Sequence, residues 1–151
     1  DQEFLKSFEE HSAAKTVHHG FIGGLMEHTL SVAKLCDYMA SAYPVIKRDM
    51  LITAALLHDV GRFVQYEDGT PHQLASLPPA EKLMDRHGYT EEEKARILRA
   101  IENHRNREIR DEKSLTGILY RADKMSRSCF GCKAEKECDW SPEKKNLRIE
   151  Y

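Results

Sequence analysis

The sequence predicts an all-α fold, and three observations predict it. Apolar residues recur three and four apart along nearly the whole chain, the spacing of a helix face. Gly20, Gly23-Gly24, Pro44, Gly69-Thr70-Pro71 and Gly88 mark turns or helix ends between periodic stretches. Thr90 with Glu93 forms a capping-box pair directly ahead of a periodic run, a helix start with a defined hydrogen-bonding reason.

Taken in order, Phe4, Leu5 and Phe8 mark a short first helix, after which His18-His19-Gly20 and Gly23-Gly24 predict a turn. A second helix is expected from about Leu25 to Ala42; Tyr43-Pro44 stops it, because proline lacks the amide donor and restricts the residue before it. A third, almost wholly apolar and therefore central, runs from about Arg48 to Val60, with Leu51, Ala54, Ala55, Leu57 and His58 on its buried side and Gly61 near its end. Tyr66 to Pro71 is turn chemistry, and a short helix around Pro79 to His87 is expected to end at Gly88. The capped helix from Thr90 carries Ile97, Ile101 and His104 on one face. A last helix, from about Ser114 to Ser128, carries Leu115, Ile118, Leu119 and Ala122. The division expected is a helical domain over 1–128 and a cysteine-rich C-terminal tail over 129–151, with no internal repeat.

The chain's 151 residues suit a single domain, and 40% apolar against 32% charged residues suit a globular one. With 23 Lys plus Arg against 25 Asp plus Glu, no strong overall field draws the surface onto nucleic acid or anionic lipid. No apolar run approaches the roughly 18 residues of a membrane span, and the first residues lack a signal-peptide pattern. A cytoplasmic, membrane-independent protein is the expectation. A start at Asp rather than Met suggests a processed or shortened chain, which leaves room for a preceding domain.

The chemistry lies in an anomaly repeated on several helices: a metal-capable side chain within an apolar stripe. His28 lies between Leu25 and Val32; His58 lies four after Ala54 and seven after Leu51, with Asp59 beside it; Asp123 lies four after Leu119. Burying such groups is costly unless hydrogen bonds, opposite charges or a metal compensate, and no lysine or arginine shares these stripes. Any one histidine is more often a satisfied core or cap residue. Two imidazoles and two carboxylates together match the preferences of Mn, Fe, Co, Ni or Zn.

The segment Leu56-Leu57-His58-Asp59-Val60-Gly61-Arg62, with His28 thirty positions upstream and Ala122-Asp123-Lys124 downstream, resembles the HD-domain superfamily of metal-dependent phosphohydrolases. The resemblance spans about residues 18 to 128, and His18 to Thr29 is similar to the corresponding opening of bacterial HD-type 3′-5′ exoribonucleases. It implies an HD-like helical bundle with His28, His58, Asp59 and Asp123 as metal ligands, Asp59 able to bridge two ions and His104 a fifth ligand. It also implies cleavage of a phosphomonoester or phosphodiester of a nucleotide or related compound by metal-activated water, oriented by Asp59. Arg62, one turn beyond His58, would stabilise charge on the phosphate, with Lys124, Arg127 and His19 as further substrate contacts. RNA remains an expected alternative substrate, and a non-catalytic module that binds a nucleotide or a structural metal and acts through a partner is the alternative function.

One departure weighs against a second metal. Relatives with a Ser-x-x-His-Ala phrase have proline here, in Ser76-Leu77-Pro78-Pro79-Ala80; His72 and His87 are the remaining candidates, His87 reading more naturally as a helix-end residue. Cys129, Cys132 and Cys138 are closely spaced enough to bind Zn or, with a fourth ligand such as Cys36, an iron-sulfur cluster. The alternative is a reduced tail pinned by Phe130 and Trp140, with Cys36 a small core hydrophobe.

Overall fold

The computed structural model describes residues 2–10, 23–133, 135–138 and 140–148. Among these the chain is helical, with no strand: α1 (Gln2–Glu10), α2 (Gly24–Ala42), α3 (Arg48–Leu57), α4 (Arg62–Glu67), α5 (His72–Ala75), α6 (Leu77–Arg86), α7 (Glu91–Asn103) and α8 (Leu115–Met125). None is long and apolar enough to cross a membrane.

Helices α2, α3, α7 and α8 pack on one another around a single core. It contains Val32 and Cys36 from α2, Leu51 and Ala54 from α3, Ile97 and Ile101 from α7, and Leu119 and Ala122 from α8, all fully buried. A fully buried Leu or Ile contributes roughly 1.5–3 kcal/mol, so this packing outweighs any single helix cap. The caps set where helices begin. Thr90 accepts from the Glu93 backbone N–H at 3.3 Å, while the Glu93 carboxylate accepts from the Thr90 N–H at 3.1 Å, completing the expected capping box. Ser114 accepts from the Gly117 N–H at 3.2 Å and starts α8.

The structure departs from the sequence reading after α3. That helix ends at Leu57, not Val60; His58 is its C-cap, and the chain turns and re-enters a helix at Arg62. Helices α4 and α5 were not expected, being too short for apolar periodicity to declare itself. Gly61 explains why the turn and α5 lie so close. A Cβ there would fall 2.3 Å from the carbonyl oxygen of Ala75, and the Gly61 N–H donates to Ser76 Oγ at 2.9 Å. This contact seats the end of α5 against the turn that follows His58-Asp59. Prolines 78 and 79 occupy the first turn of α6, where missing amide donors cost no helical hydrogen bond.

Beyond α8 the tail folds into short 3-10 turns at Cys129–Gly131, Glu135–Glu137 and Pro142–Lys144. Asn146 fastens it. Its side-chain amide donates to the carbonyls of Lys124 at 2.9 Å, Met125 at 3.3 Å and Arg127 at 3.0 Å, partners otherwise left over at a helix C-terminus. The expected pin Phe130 is instead 55% exposed, because it projects from a turn held by its backbone N–H on the Asn146 carbonyl. Trp140 does take part, beneath the Arg127 guanidinium at 4.6 Å.

Candidate metal centre

Five elements bring their ends together. His28 lies one turn into α2, His58 and His104 cap the C-termini of α3 and α7, His72 opens α5, and Asp123 occupies the last turn of α8. All five and Asp59 are buried. Two groups form around Asp59. In one, His58 Nε2 lies 3.2 Å from His28 Nε2 and 3.7 Å from Asp59 Oδ2, and His28 Nε2 lies 3.3 Å from Asp123 Oδ1. In the other, His72 and His104 place Nε2 atoms 3.2 and 3.6 Å from Asp59 Oδ1 and 3.3 Å from each other. The ligand atoms of His28, His58 and Asp59, and those of Asp59, His72 and His104, could each hold a metal ion, with Asp123 beside the first group.

The backbone fixes how these rings present themselves. His58 Nδ1–H donates to the Ala55 carbonyl at 2.7 Å and His104 Nδ1–H to the Ile101 carbonyl at 2.6 Å. His72 Nδ1–H donates to the Gln65 side-chain oxygen at 2.6 Å. A histidine bonded this way keeps its Nε2 lone pair for a ligand. The lone pairs of His72 and His104 therefore face one another at 3.3 Å, which is repulsive unless a cation lies between them. Asp59 Oδ1 is buried and, among the described residues, accepts no hydrogen bond. On both counts the residues fit a divalent cation.

Burial pushes His72 down to about 3 and His104 to about 4, and lowers His58 as well, so these imidazoles are neutral near pH 7. Burial would raise Asp59, but His58, Arg62, His72 and His104 outweigh it and hold the carboxyl well below its ordinary range. With the imidazoles neutral, Arg62 is the lasting cation, donating from Nη1 to Asp59 Oδ2 at 2.9 Å and lying 3.3 Å from His72 Nε2. Asp123 is also held low: burial opposes this, while His28 and Lys124 favour it. The Lys124 ammonium bonds Asp123 Oδ2 directly. Each carboxylate thus has a cation, although none shares the apolar stripes. Both come from just outside them, three residues after Asp59 and one after Asp123.

The structure revises the doubt raised by Pro79. The second group needs no histidine in α6, because Gly61 lets α5 approach and His72 comes from there. His87 is exposed at the C-cap of α6, as a helix-end residue should be. His19 lies outside the described residues. Arg127 is engaged with the tail, over Trp140 and within 3.4 Å of the Lys144 carbonyl. Among the described residues, no group of three metal-capable atoms within 4.8 Å includes Cys129, Cys132 or Cys138. The largely covered Lys145 ammonium, bonded to the Glu135 carboxylate at 2.9 Å, lies within the electrostatic reach of Cys138 and Cys129 and supplies positive charge there itself. Cys36 instead packs in the apolar core beside Val32 and, among the described residues, belongs to no such group; burial pushes its thiol up to about 12.

Three contributors escaped the sequence reading. Gln65 anchors His72; Ser126 Oγ lies 3.5 Å from His28 Nδ1; and Arg105, next to His104, lies near enough to disfavour protonation of both His72 and Lys124. Only Arg105 had a sequence signal, its adjacency to a candidate ligand.

Comparison with known proteins accords with this geometry. An uncharacterized protein of Clostridium beijerinckii is 35% identical over 83% of this chain and 79% of its own length. The 3′-5′ exoribonuclease YhaM of Listeria innocua is 33% identical over 42% of this chain, and a dihydroneopterin 2′,3′-cyclic phosphate phosphodiesterase of Methanocaldococcus jannaschii is 42% identical over 42%. The matches span only 20% and 29% of those two enzymes. No solved structure matches significantly. The HD domain family model matches residues 25–128, a stretch that begins just before His28, contains both groups around Asp59 and ends just after Asp123: this chain belongs to the HD domain family.

Proposed function

We propose that the protein is a metal-dependent phosphohydrolase cleaving a phosphomonoester or phosphodiester of a nucleotide or related compound. The observation that carries this reading is the convergence of four imidazole Nε2 atoms on Asp59 and Asp123 in a buried cluster. Two relatives whose names record phosphodiester cleavage support it. A divalent ion of the Mn, Fe, Co, Ni or Zn type, one or two per chain, would supply Lewis acidity toward phosphoryl oxygen and activation of water. His28, His58, Asp59 and Asp123 would hold one, and His72 and His104 with Asp59 a second.

The chain's own part is positioning and charge. Asp59, held ionised, would orient a nucleophilic water through a carboxylate lone pair that the metal leaves free. Arg62 lies beside that carboxylate and offers guanidinium N–H groups to phosphate oxygens. Lys124 is the next cation at the same pocket.

Purified protein should contain a stoichiometric transition metal and hydrolyse bis(p-nitrophenyl) phosphate or a nucleotide. Chelation should stop hydrolysis, and His58→Ala or Asp59→Ala should abolish it while the helical circular-dichroism spectrum persists. Full activity in chelated protein would overturn the reading. Metal retention without hydrolysis of any phosphoester would favour the non-catalytic binding module.

A further inference from the structure

The tail leaves a groove of about 550 Å³ beside the last turn of α8. Met125, Phe130 and Leu147 give it an apolar lining and are 57%, 55% and 44% exposed; Arg127, Lys145 and Arg148 line it too, and among the described residues no acidic side chain does. The chain as a whole is net negative, so this lining is a local departure. The groove begins close to the metal centre along the chain. Met125 is two residues from Asp123, and Asn146, another lining residue, bonds the carbonyl of Lys124, whose ammonium sits on Asp123.

We infer that this groove is a nucleotide-unit subsite, holding the nucleoside next to the bond being cleaved, so that the substrate class is a short single-stranded oligonucleotide rather than a mononucleotide. The inference rests on the phosphohydrolase reading and extends it. An exposed aromatic ring flanked by cations is the arrangement that binds single strands without reading their sequence, the ring stacking a base and the cations meeting phosphates. Phe130 supplies the ring. Arg148 supplies the available charge, because Lys145 is committed to Glu135 and Arg127 to Trp140. An apolar peptide would leave the Arg148 guanidinium unmatched, and a lone mononucleotide at the metal centre would leave Phe130 uncovered.

The test uses the whole chain with its metal, comparing Phe130→Ala, Arg148→Glu and the double variant with the native protein. Neither residue touches the metal centre, so bis(p-nitrophenyl) phosphate hydrolysis should not change. KM for a fluorescently labelled pentanucleotide should rise about tenfold for Phe130→Ala, as expected for loss of one base-stacking platform, and further for the double variant. Binding of the same pentanucleotide, read by fluorescence anisotropy with chelator present, should weaken in parallel and tighten as salt falls. Native-like KM and anisotropy in the double variant would overturn the inference, as would a native protein that binds the pentanucleotide no better than a mononucleotide. If no phosphoester is cleaved yet Phe130→Ala weakens anisotropy binding, the activity reading fails and the subsite stands.

Discussion

Gln65 holds His72 twice, accepting from Nδ1–H at 2.6 Å and from the backbone N–H at 3.2 Å. Such a partner fixes tautomer and ring direction, and its loss from metal sites costs roughly 10–100-fold in affinity or activity. Gln65→Leu should therefore weaken metal binding by about that factor in a titration, with little change in helicity; unchanged affinity would show that packing alone orients the ring. Gly61 acts through backbone. In Gly61→Ala the new methyl must displace the Ala75 carbonyl, at a cost of about 1–3 kcal/mol in urea unfolding and with loss of occupancy at the His72 group. His28, His58 and Asp123 could be picked out beforehand because each falls on an apolar stripe at helical spacing, and Asp59 because it adjoins His58. Gln65 could not, since nothing in its neighbours announces that a ring seven residues on will turn back to it. His72 lay in a stretch dominated by turn residues, and its role depends on Gly61 bringing two backbones together.

At the scale of elements, the long helices were legible and the short ones were not. Helices α2, α7 and α8 each run through several apolar turns, and Thr90, Ser114 and Pro44 mark their limits by hydrogen-bonding capacity alone. The four residues of α5 make little more than one turn, too short for a period to show. The end of α3 was misplaced by three residues because Val60 continues the apolar pattern after the hydrogen bonding has changed. The Thr90 cap lies at the opposite end of α7 from His104. Thr90→Ala should cost about 1 kcal/mol in chemical denaturation and leave hydrolysis unaffected; a parallel loss of activity would mean that α7 transmits disorder along its length.

At the scale of the whole molecule, the buried histidines make stability depend on pH. His72 and His104 have folded values of about 3 and about 4, below the 6.5 of an ordinary imidazole. Between those limits the unfolded chain binds more protons than the folded one, so stability rises with pH across that window. The metal-free protein should keep this contribution above about pH 6.5 and lose it progressively toward about pH 4, seen as a falling Tm. Asp59 and Asp123, held low in the fold, add to the loss only below the ordinary carboxylate range. Bound metal should raise Tm at every pH where the imidazoles are neutral, and a Tm independent of pH in chelated protein would contradict the burial of these rings.

The pairing of Arg62 with Asp59 and of Lys124 with Asp123 has a consequence for how the pocket fills. Each carboxylate there already has a bonded cation as its counter-charge. On the proposed reading, a divalent ion cannot simply be added to that balance; it must take over as counter-charge to the carboxylates. Electroneutrality then leaves the guanidinium and the ammonium with charge to give to an incoming phosphate. Metal loading and anion capture become halves of one counterion exchange, in which the protein's own cations pass from carboxylate to substrate.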